Sequence, residues 1–179
     1  MAVTAKGTPY VESSDLVANY PGVSLALANH IDTSTGKVLQ VVRATDVTNR
    51  STTSTSFVDA SLSVTITPRA TTSTIILIQT GYGRLSTSTA GNVRVDYQIT
   101  NSSNVAISGA QSLSFGPANF NFSGTGSIDY PFTFVAFASP ATISAVTFKS
   151  RFKSLASTTT NNILNTEATG QLFAIEVAA

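Results

Sequence analysis

Few side chains in this sequence are suited to catalysis. Histidine occurs once, as His30, and cysteine is absent, so the commonest general base is scarce and the strongest protein nucleophile is missing. A serine, histidine and aspartate triad would have to use His30, which lies in a predicted helix away from the predicted sandwich loops. A polysaccharide hydrolase would need two carboxylates about 5 to 10 Å apart, and Asp96 could meet Asp129 or Glu176 only through the fold. We therefore predict no catalytic residues and no enzymatic activity.

Signatures of metal and nucleotide binding are also missing from the sequence. The acidic residues are spread along the chain without the closely spaced aspartates of a calcium loop, and no thiolate site can form without cysteine. The glycines at 81–83 and 124–126 lack the third glycine and the following helix of a dinucleotide-binding loop. We expect no metal and no cofactor.

One group of charged residues is suited to contact with a partner. Lys149, Arg151 and Lys153 alternate with Phe148 and Phe152, which places three cations on one face of a strand and two aromatic rings on the other. This pattern fits a contact with an anionic surface. It also fits a solvated edge strand whose charges deter unwanted pairing, and we prefer that interpretation. The net charge is +1 and the other basic residues are scattered, so nucleic-acid binding is not expected.

A second possible contact surface is the segment FGPANFNFSGTG at residues 115–126. Phe120 and Phe122 lie there among asparagine, glycine and proline residues, a composition typical of an exposed loop that binds a ligand or packs against a neighbour. The other large aromatic residues are expected in the core, because aromatic side chains are usually buried.

The elements that must position these residues are mostly strands. Charged residues make up 11% of the chain, against a usual share of about 25%, and serine and threonine fill the deficit. Apolar residues alternate with them, and strands are predicted at 37–46, 60–68, 74–83, 92–101, 105–115, 127–138, 142–154 and 170–178. We read the Ser/Thr tracts at 51–56, 71–74, 86–89 and 157–160 as loops. About eight or nine strands predict an all-β, antiparallel β-sandwich, jelly-roll-like, with one face of each strand in the core and one in water.

Helical periodicity is confined to residues 14–32, SDLVANYPGVSLALANHID. Ser13, Ser14 and Asp15 are suited to cap the helix, and Pro21 is predicted to kink or split it unless it lies in the first turn of a continuation. The turn TSTG at 33–36 marks a boundary between an N-terminal arm, residues 1–35, and a sandwich domain, residues 36–179. The apolar residues of the helix share one face: Leu16, Tyr20, Val23, Leu27 and Ile31.

This helix is too short to be stable alone. Ordering each residue costs about 1 to 2 kcal/mol of backbone entropy, and each buried apolar side chain returns about 1.5 to 3 kcal/mol. The stripe must therefore dock on something that adds contacts. We predict that it forms an attachment or oligomer interface together with Tyr10 and Val11 of the preceding arm.

The whole chain resembles the small tail-fibre-like and capsid-decoration-like structural proteins of tailed bacteriophages. The resemblance lies in VESSDLVANYPGVSLALANHID followed by GKVLQVV, in STTSTSFVDASLSVTITPRATTSTIILIQ, in SPATISAVTFKSRF and in the closing GQLFAIEV. It implies a virion component, usually a homotrimer, that an N-terminal segment attaches to the major capsid protein or to another virion protein. The expected location is the capsid surface or the tail.

Two functions are compatible with this resemblance. Long tail fibres have a lengthy shaft, which this sequence lacks, so a compact capsid decoration protein, either cement or a short head fibre, is favoured. The alternative is a tail-fibre-like receptor-binding protein whose loops recognise a glycan on the bacterial surface. No leader segment is evident and no run approaches the roughly 18 apolar residues of a membrane span, so we expect a soluble chain with no membrane partner.

Overall fold

A computed structural model of the chain describes residues 2–3, 9–10, 20–33, 36–115 and 121–179. Val11, Leu16 and Phe120, which the sequence analysis singled out, lie outside these residues. The described elements, in chain order, are β1 Ala2–Val3, β2 Pro9–Tyr10, α1 Tyr20–Thr33, β3 Val38–Asp46, β4 Arg50–Thr52, β5 Val58–Ile66, β6 Thr74–Thr87, β7 Gly91–Asn92, β8 Val95–Asn101, β9 Leu113–Phe115, β10 Asn121–Phe122, β11 Gly126–Ala138, β12 Val146–Ser154, β13 Thr159–Ile163 and β14 Gly170–Val177.

Two antiparallel sheets face each other and form a sandwich. The larger sheet has six strands: β3, β14, β6, β13 and β4 follow one another in this order, and β11 pairs with β6 from Ile75 to Thr87. The smaller sheet has four strands in the order β5, β12, β8 and β9. The predicted all-β antiparallel sandwich is confirmed.

The six strands of the larger sheet lie along four lines. Two lines are formed by β11 and β6, and each of the other two contains two strands that follow each other end to end. Strands β14 and β13 both pair with β6, at Thr74–Thr80 and at Gly83–Thr87 respectively. Because β11 occupies the other edge of β6, β13 and β14 must lie end to end along one edge. Strands β4 and β3 pair with them in the same succession.

Polar side chains connect the segment between β3 and β4 with the segment between β13 and β14. Asn165 donates to Asp46 Oδ2 at 3.0 Å, and Arg50 Nε donates to the same oxygen at 2.9 Å. Asn49 Oδ1 accepts a hydrogen bond from the backbone N–H of Thr166 at 2.9 Å. These bonds hold the two connecting segments against each other.

All four Ser/Thr tracts predicted to be loops overlap strands. The tract at 51–56 overlaps β4, and the tract at 157–160 overlaps β13. Their backbone groups are satisfied by neighbouring strands that are distant in sequence, and local composition does not reveal such pairing. The tract at 71–74 ends on the first residue of β6, and the tract at 86–89 begins inside β6.

The apolar core lies between the sheets and follows the predicted alternation. Leu62, Val64 and Ile66 of β5 are buried, as are Val95 and Ile99 of β8. A second part of the core is aromatic and contains Tyr97, Tyr130, Phe132 and Phe152.

Glycine residues on β6 make room for the aromatic rings of β11. A Cβ atom added at Gly83 would lie 2.6 Å from Cζ of Tyr130, and one added at Gly81 would lie 2.7 Å from Cζ of Phe132. The close approach of strand backbone and ring explains why glycine occurs twice in the interior of a long strand.

The prediction that the outer face of β8 is wet is wrong at two positions. Asp96 is 2% exposed and Thr100 is 0% exposed. Ser114 of β9 and Lys153 of β12 both reach Asp96, and Thr100 forms a bridge with Ala106. Neighbouring elements thus cover a face that sequence alternation alone assigns to solvent.

The helix α1 begins at Tyr20, so Pro21 lies in its first turn, where the missing N–H is not needed. Residues 14–19 of the predicted helix lie outside the described residues. The backbone N–H of Gly36 donates to the carbonyl of Ala178 at 3.0 Å, which fixes the start of the sandwich beside its last strand. The division of the chain at residue 35 stays a prediction.

Candidate functional site: surfaces for assembly

The helix α1 presents apolar side chains outside the sandwich core. Among the described elements its principal contact is with the two-residue strand β2. Leu25 is 62% exposed, and Leu27 is half-buried. Tyr10 lies in β2 and pairs with Ala2. Among the other residues of the predicted interface, those in α1 are Tyr20, Val23 and Ile31. The role of these residues in attachment stays a prediction.

The basic trio lies on β12, which is not an edge strand. β12 pairs with β5 on one side and with β8 on the other, so the interpretation of a solvated edge strand is wrong. Lys149 Nζ lies 3.8 Å from Asp59 Oδ2, and Lys153 Nζ lies 3.3 Å from Asp96 Oδ2. The neighbouring strands therefore supply carboxylates that neutralise part of the positive charge.

A β-bulge sets this arrangement of charges. The register between β12 and β5 shifts between Lys149 and Arg151, and Ser61 on β5 has a positive φ of 58°. The shift places Arg151 opposite Asp59, while its Nη2 donates to the carbonyl of Phe57 at 2.6 Å. Whether the trio contacts an anionic partner stays a prediction.

Asp96 is the most strongly held carboxylate of this face. Arg94 Nε lies 3.0 Å from its Oδ1, and the hydroxyl of Ser114 donates to the same oxygen at 2.7 Å. Burial by itself raises the pKa of Asp96, but the bonds from Ser114, Lys153 and Arg94 outweigh it and hold the pKa below its usual value. Asp96 therefore stays ionised and fixes the cations around it.

Phe122 packs against the protein and does not lie in a fully exposed loop. It lies in β10, which pairs with β7, it is half-buried, and it packs against the aromatic part of the core. Its ring lies over Gly126, where any Cβ atom would overlap it. Its proposed role in surface contact stays a prediction.

The carboxylates considered for hydrolysis belong to three separate networks. Asp129 is paired with Arg84 Nε at 2.6 Å on the outer face of the larger sheet. Glu176 accepts hydrogen bonds at 2.6 Å from the backbone N–H of Arg69 and from the side chain of Gln40, and Asp96 lies in the smaller sheet. Each of these carboxylates thus has a local structural role.

One surface cleft has a volume of about 500 Å³. It lies where the segment following β8 meets the end of β11 and the start of β12. Its walls combine apolar residues with amide and hydroxyl groups, and they include Asn101, Ser108, Phe137, Ala145 and Thr147. Such a neutral lining suits an uncharged, hydroxyl-rich ligand better than an ion.

Within the described part of the chain, no three His, Asp or Glu side chains are grouped so that they could hold a metal ion. Over the same residues, no helix has both the length and the apolar character to cross a membrane.

The sequence analysis missed an apolar surface on the outer face of the larger sheet. We call it the outer stripe. The continuously apolar runs in β6 and β11 were its only signal, because they place apolar side chains on both faces of a strand. The outer stripe consists of Val41, Ile76, Ile78, Val135, Phe137, Phe173 and Ile175.

The fold defines the class of this protein as an antiparallel all-β sandwich with an N-terminal helix. No protein-family model matches the chain, and no curated protein matches it. The chain is similar to the VP2 protein in the crystal structure of an infectious bursal disease virus subviral particle, with 16% identity, a TM-score of 0.40, and coverage of 82% of this chain and 39% of that chain. It is also similar to a mutant VP2 protein in T=1 particles derived from the same virus, with 13% identity, a TM-score of 0.35, and coverage of 82% of this chain and 37% of that chain. The chain thus spans about two fifths of the VP2 length.

Proposed function

We propose that this chain is a structural protein of a bacteriophage virion: a trimeric capsid decoration protein, of the cement or short head-fibre type. The assignment to a virion rests on the resemblance of the sequence to such proteins. The N-terminal segment anchors it to the major capsid protein or to another virion protein, and the sandwich forms the outer domain.

One observation carries the anchoring role. Within the part of the chain that the structure describes, a 14-residue helix that contains Leu25 and Leu27 has as its principal contact a strand of two residues. Isolated helices of this length are marginal in water, so α1 needs a further surface to remain folded. Sister subunits or the capsid shell supply that surface in this proposal.

The mass of the purified full chain in solution tests the proposal. Size-exclusion chromatography with light scattering should give a trimer or a larger assembly. Leu27→Asp should weaken assembly because it places a charge on the apolar side of α1, while far-UV circular dichroism shows an intact sandwich. Gly22→Asp is the matched control and should leave the mass unchanged, because residue 22 is exposed, lies away from the apolar side of the same helix and has nothing within 4 Å of an added Cβ atom. A monomeric wild-type chain would contradict the proposal.

Attachment to particles needs a separate measurement. The particles for this test are phage particles that lack this protein but are otherwise complete. Labelled wild-type protein should co-sediment with them, and the Leu27→Asp variant should remain in the supernatant. Binding that is equal for both proteins would show that the anchor lies elsewhere.

The cleft supports a second candidate, a receptor-binding protein that recognises a bacterial surface glycan. Its neutral lining and the exposed ring of Phe137 suit a sugar, which offers hydroxyl groups and apolar ring faces. Full-length protein should bind host cells, and Ala145→Trp should abolish binding by filling the cleft. Ser144 is exposed, precedes Ala145 in the sequence and does not line the cleft. The control variant Ser144→Trp should therefore bind normally. Absence of binding by the wild type would remove this candidate.

A further inference from the structure

The outer stripe is a continuous apolar surface across four strands. In one row Val41 of β3 lies opposite Ile175 of β14, Ile175 lies opposite Ile76 of β6, and Ile76 lies opposite Phe137 of β11. In the next row Phe173, Ile78 and Val135 lie opposite one another in the same way. Strand pairing thus assembles the surface from four distant parts of the chain.

These side chains point away from the core. On β6, β11 and β14 they alternate with residues that are buried between the sheets, for example Leu77, Ala136 and Leu172, and successive residues of a strand face opposite sides. Val41 is 57% exposed, Phe137 is 54% exposed and Val135 is 41% exposed. The members on β6 and β14 are half-buried by their neighbours.

The size of this surface is suited to a protein partner. Four strands about 4.8 Å apart and two rows of side chains about 7 Å apart give the outer stripe roughly 270 Å², and one further row on each side brings the face to on the order of 500 Å². A standard interface buries about 800 Å² on each partner. The outer stripe has the dimensions of the apolar centre of such an interface.

The electrostatics of the two outer faces favour a second copy of this chain as the partner. The row beside the outer stripe consists of neutral side chains, Thr45, Gln171, Thr80 and Thr133. Further along the same face, Arg84 and Asp129 neutralise each other. Two copies can therefore bring these faces together with little repulsion, because Arg43 is the one charged residue in the rows of the outer stripe.

The outer face of the smaller sheet is less suited to self-association. It carries Arg94, Lys149, Arg151 and Lys153 against Asp59 and Asp96, which leaves an excess of positive charge. Two such faces would repel each other at short range. Self-association is thus directed to the larger sheet.

We propose that the outer stripe is an interface between copies of this chain, in which a second copy covers the larger sheet. This interface is separate from the contact assigned to α1 and does not depend on it. The interaction removes exposed apolar side chains from water, which is the main favourable term in protein association.

Charge substitutions on β11 test the proposal in the full-length chain. The double variant Val135→Glu, Phe137→Glu should weaken self-association at least about tenfold in sedimentation equilibrium, because residues at the centre of an interface carry most of its binding energy. Ser127→Glu is the matched control. It lies on the same face of the same strand, opposite Ser86 and beyond the Arg84–Asp129 pair, and should associate as the wild type does.

A second variant and a second background keep the test decisive. Val41→Glu places a charge in the outer stripe on a different strand, β3, so it replaces the double variant if that protein fails to fold. In the Leu27→Asp background, concentration-dependent association should persist and the stripe substitutions should abolish it. If the stripe substitutions leave the mass unchanged in both the wild-type and the Leu27→Asp background, the proposed interface is wrong. If Leu27→Asp alone leaves the mass unchanged, that result concerns the role of α1 and not the outer stripe.

Discussion

The hydroxyl oxygens of Tyr97 and Tyr130 lie 2.9 Å apart inside the sandwich and join its two sheets. Tyr97 belongs to β8 of the smaller sheet, and Tyr130 belongs to β11 of the larger one. Asn161 Oδ1 lies 3.5 Å from the hydroxyl of Tyr97 and 3.3 Å from that of Tyr130, and it accepts from whichever hydroxyl does not donate to the other. Buried hydroxyl groups need such partners, because an unsatisfied one carries its full desolvation cost.

We expect Tyr130→Phe and Tyr97→Phe each to lower the free energy of unfolding by about 1 to 3 kcal/mol, because each leaves the other hydroxyl with one weak partner. The double variant should lose less than the sum of the two, since the hydroxyls share one hydrogen bond. Urea denaturation measures all three values. Tyr82→Phe, on the outer face of β6, is the control and should change stability by less than about 0.5 kcal/mol. Strict additivity would show that the two hydroxyls act independently.

The same pair predicts how the protein responds to alkali. Burial raises the pKa of both hydroxyls, and for Tyr97 the nearby Tyr130 raises it further. A pKa that is higher in the folded state adds stability at pH values below the unfolded value of 10.0. That stability is lost as the pH rises through the folded pKa.

Tyrosinate absorbance should therefore show a component above pH 10 that appears only with unfolding. The double variant Tyr97→Phe, Tyr130→Phe should lack this component. Titration of all tyrosines before the loss of circular dichroism would contradict the prediction.

We expect Gly83→Ala to destabilise the sandwich by about 1 to 3 kcal/mol through overpacking, because its methyl group would meet the ring of Tyr130. Gly124→Ala is the control, since a Cβ atom there has nothing within 4 Å. Thermal and urea unfolding of the two variants make the comparison. Equal stability of both would mean that β6 and β11 separate at little cost.

The buried carboxylates predict a loss of stability in acid. Burial raises the pKa values of Asp46, Asp96 and Glu176, but their hydrogen bonds outweigh it and the net pKa values lie below the usual ones. Groups of this kind contribute stability in full above their unfolded pKa values, 3.8 for aspartate and 4.5 for glutamate. The contribution is lost as the pH falls through the lower folded pKa values.

Asp96→Asn isolates one of these contributions. At pH 7 the variant should lose roughly 1.5 to 3 kcal/mol, the usual value for hydrogen bonds to a charged group, and the deficit should shrink in acid as the wild-type carboxyl becomes protonated. Asp59→Asn removes a longer, more exposed ion pair and should cost less than about 1 kcal/mol. A deficit at Asp96 that is constant from pH 7 to acid would contradict the assigned pKa.

The strands were predictable where one face alternates with the other. The pattern of Leu62, Val64 and Ile66 predicts β5, because each of these residues is followed by serine or threonine. The prediction failed at the buried Asp96, because its cover comes from β9 and β12, which are remote in sequence. It failed again at β13, whose Thr159 and Asn161 are buried polar residues with no apolar signal.

The candidate surfaces divide in the same way. The helix of the arm and the alternating basic residues of β12 were visible in the sequence, since each depends on the period of one element. The central position of β12 was not visible, because it depends on pairing with β5 and β8. The outer stripe was also invisible as a surface, since Val41 and Phe137 become neighbours only through the two strands between them.

The sequence alone determined the all-β class, the alternation of core and surface, and the single helical segment, because these follow from backbone periods of 2 and about 3.6 residues. The tertiary structure alone decided which strands are neighbours, which polar groups are buried in pairs, and which apolar side chains join into one surface. Those features depend on hydrogen bonds between strands that lie far apart in the chain, and local side-chain patterns carry little information about such partners.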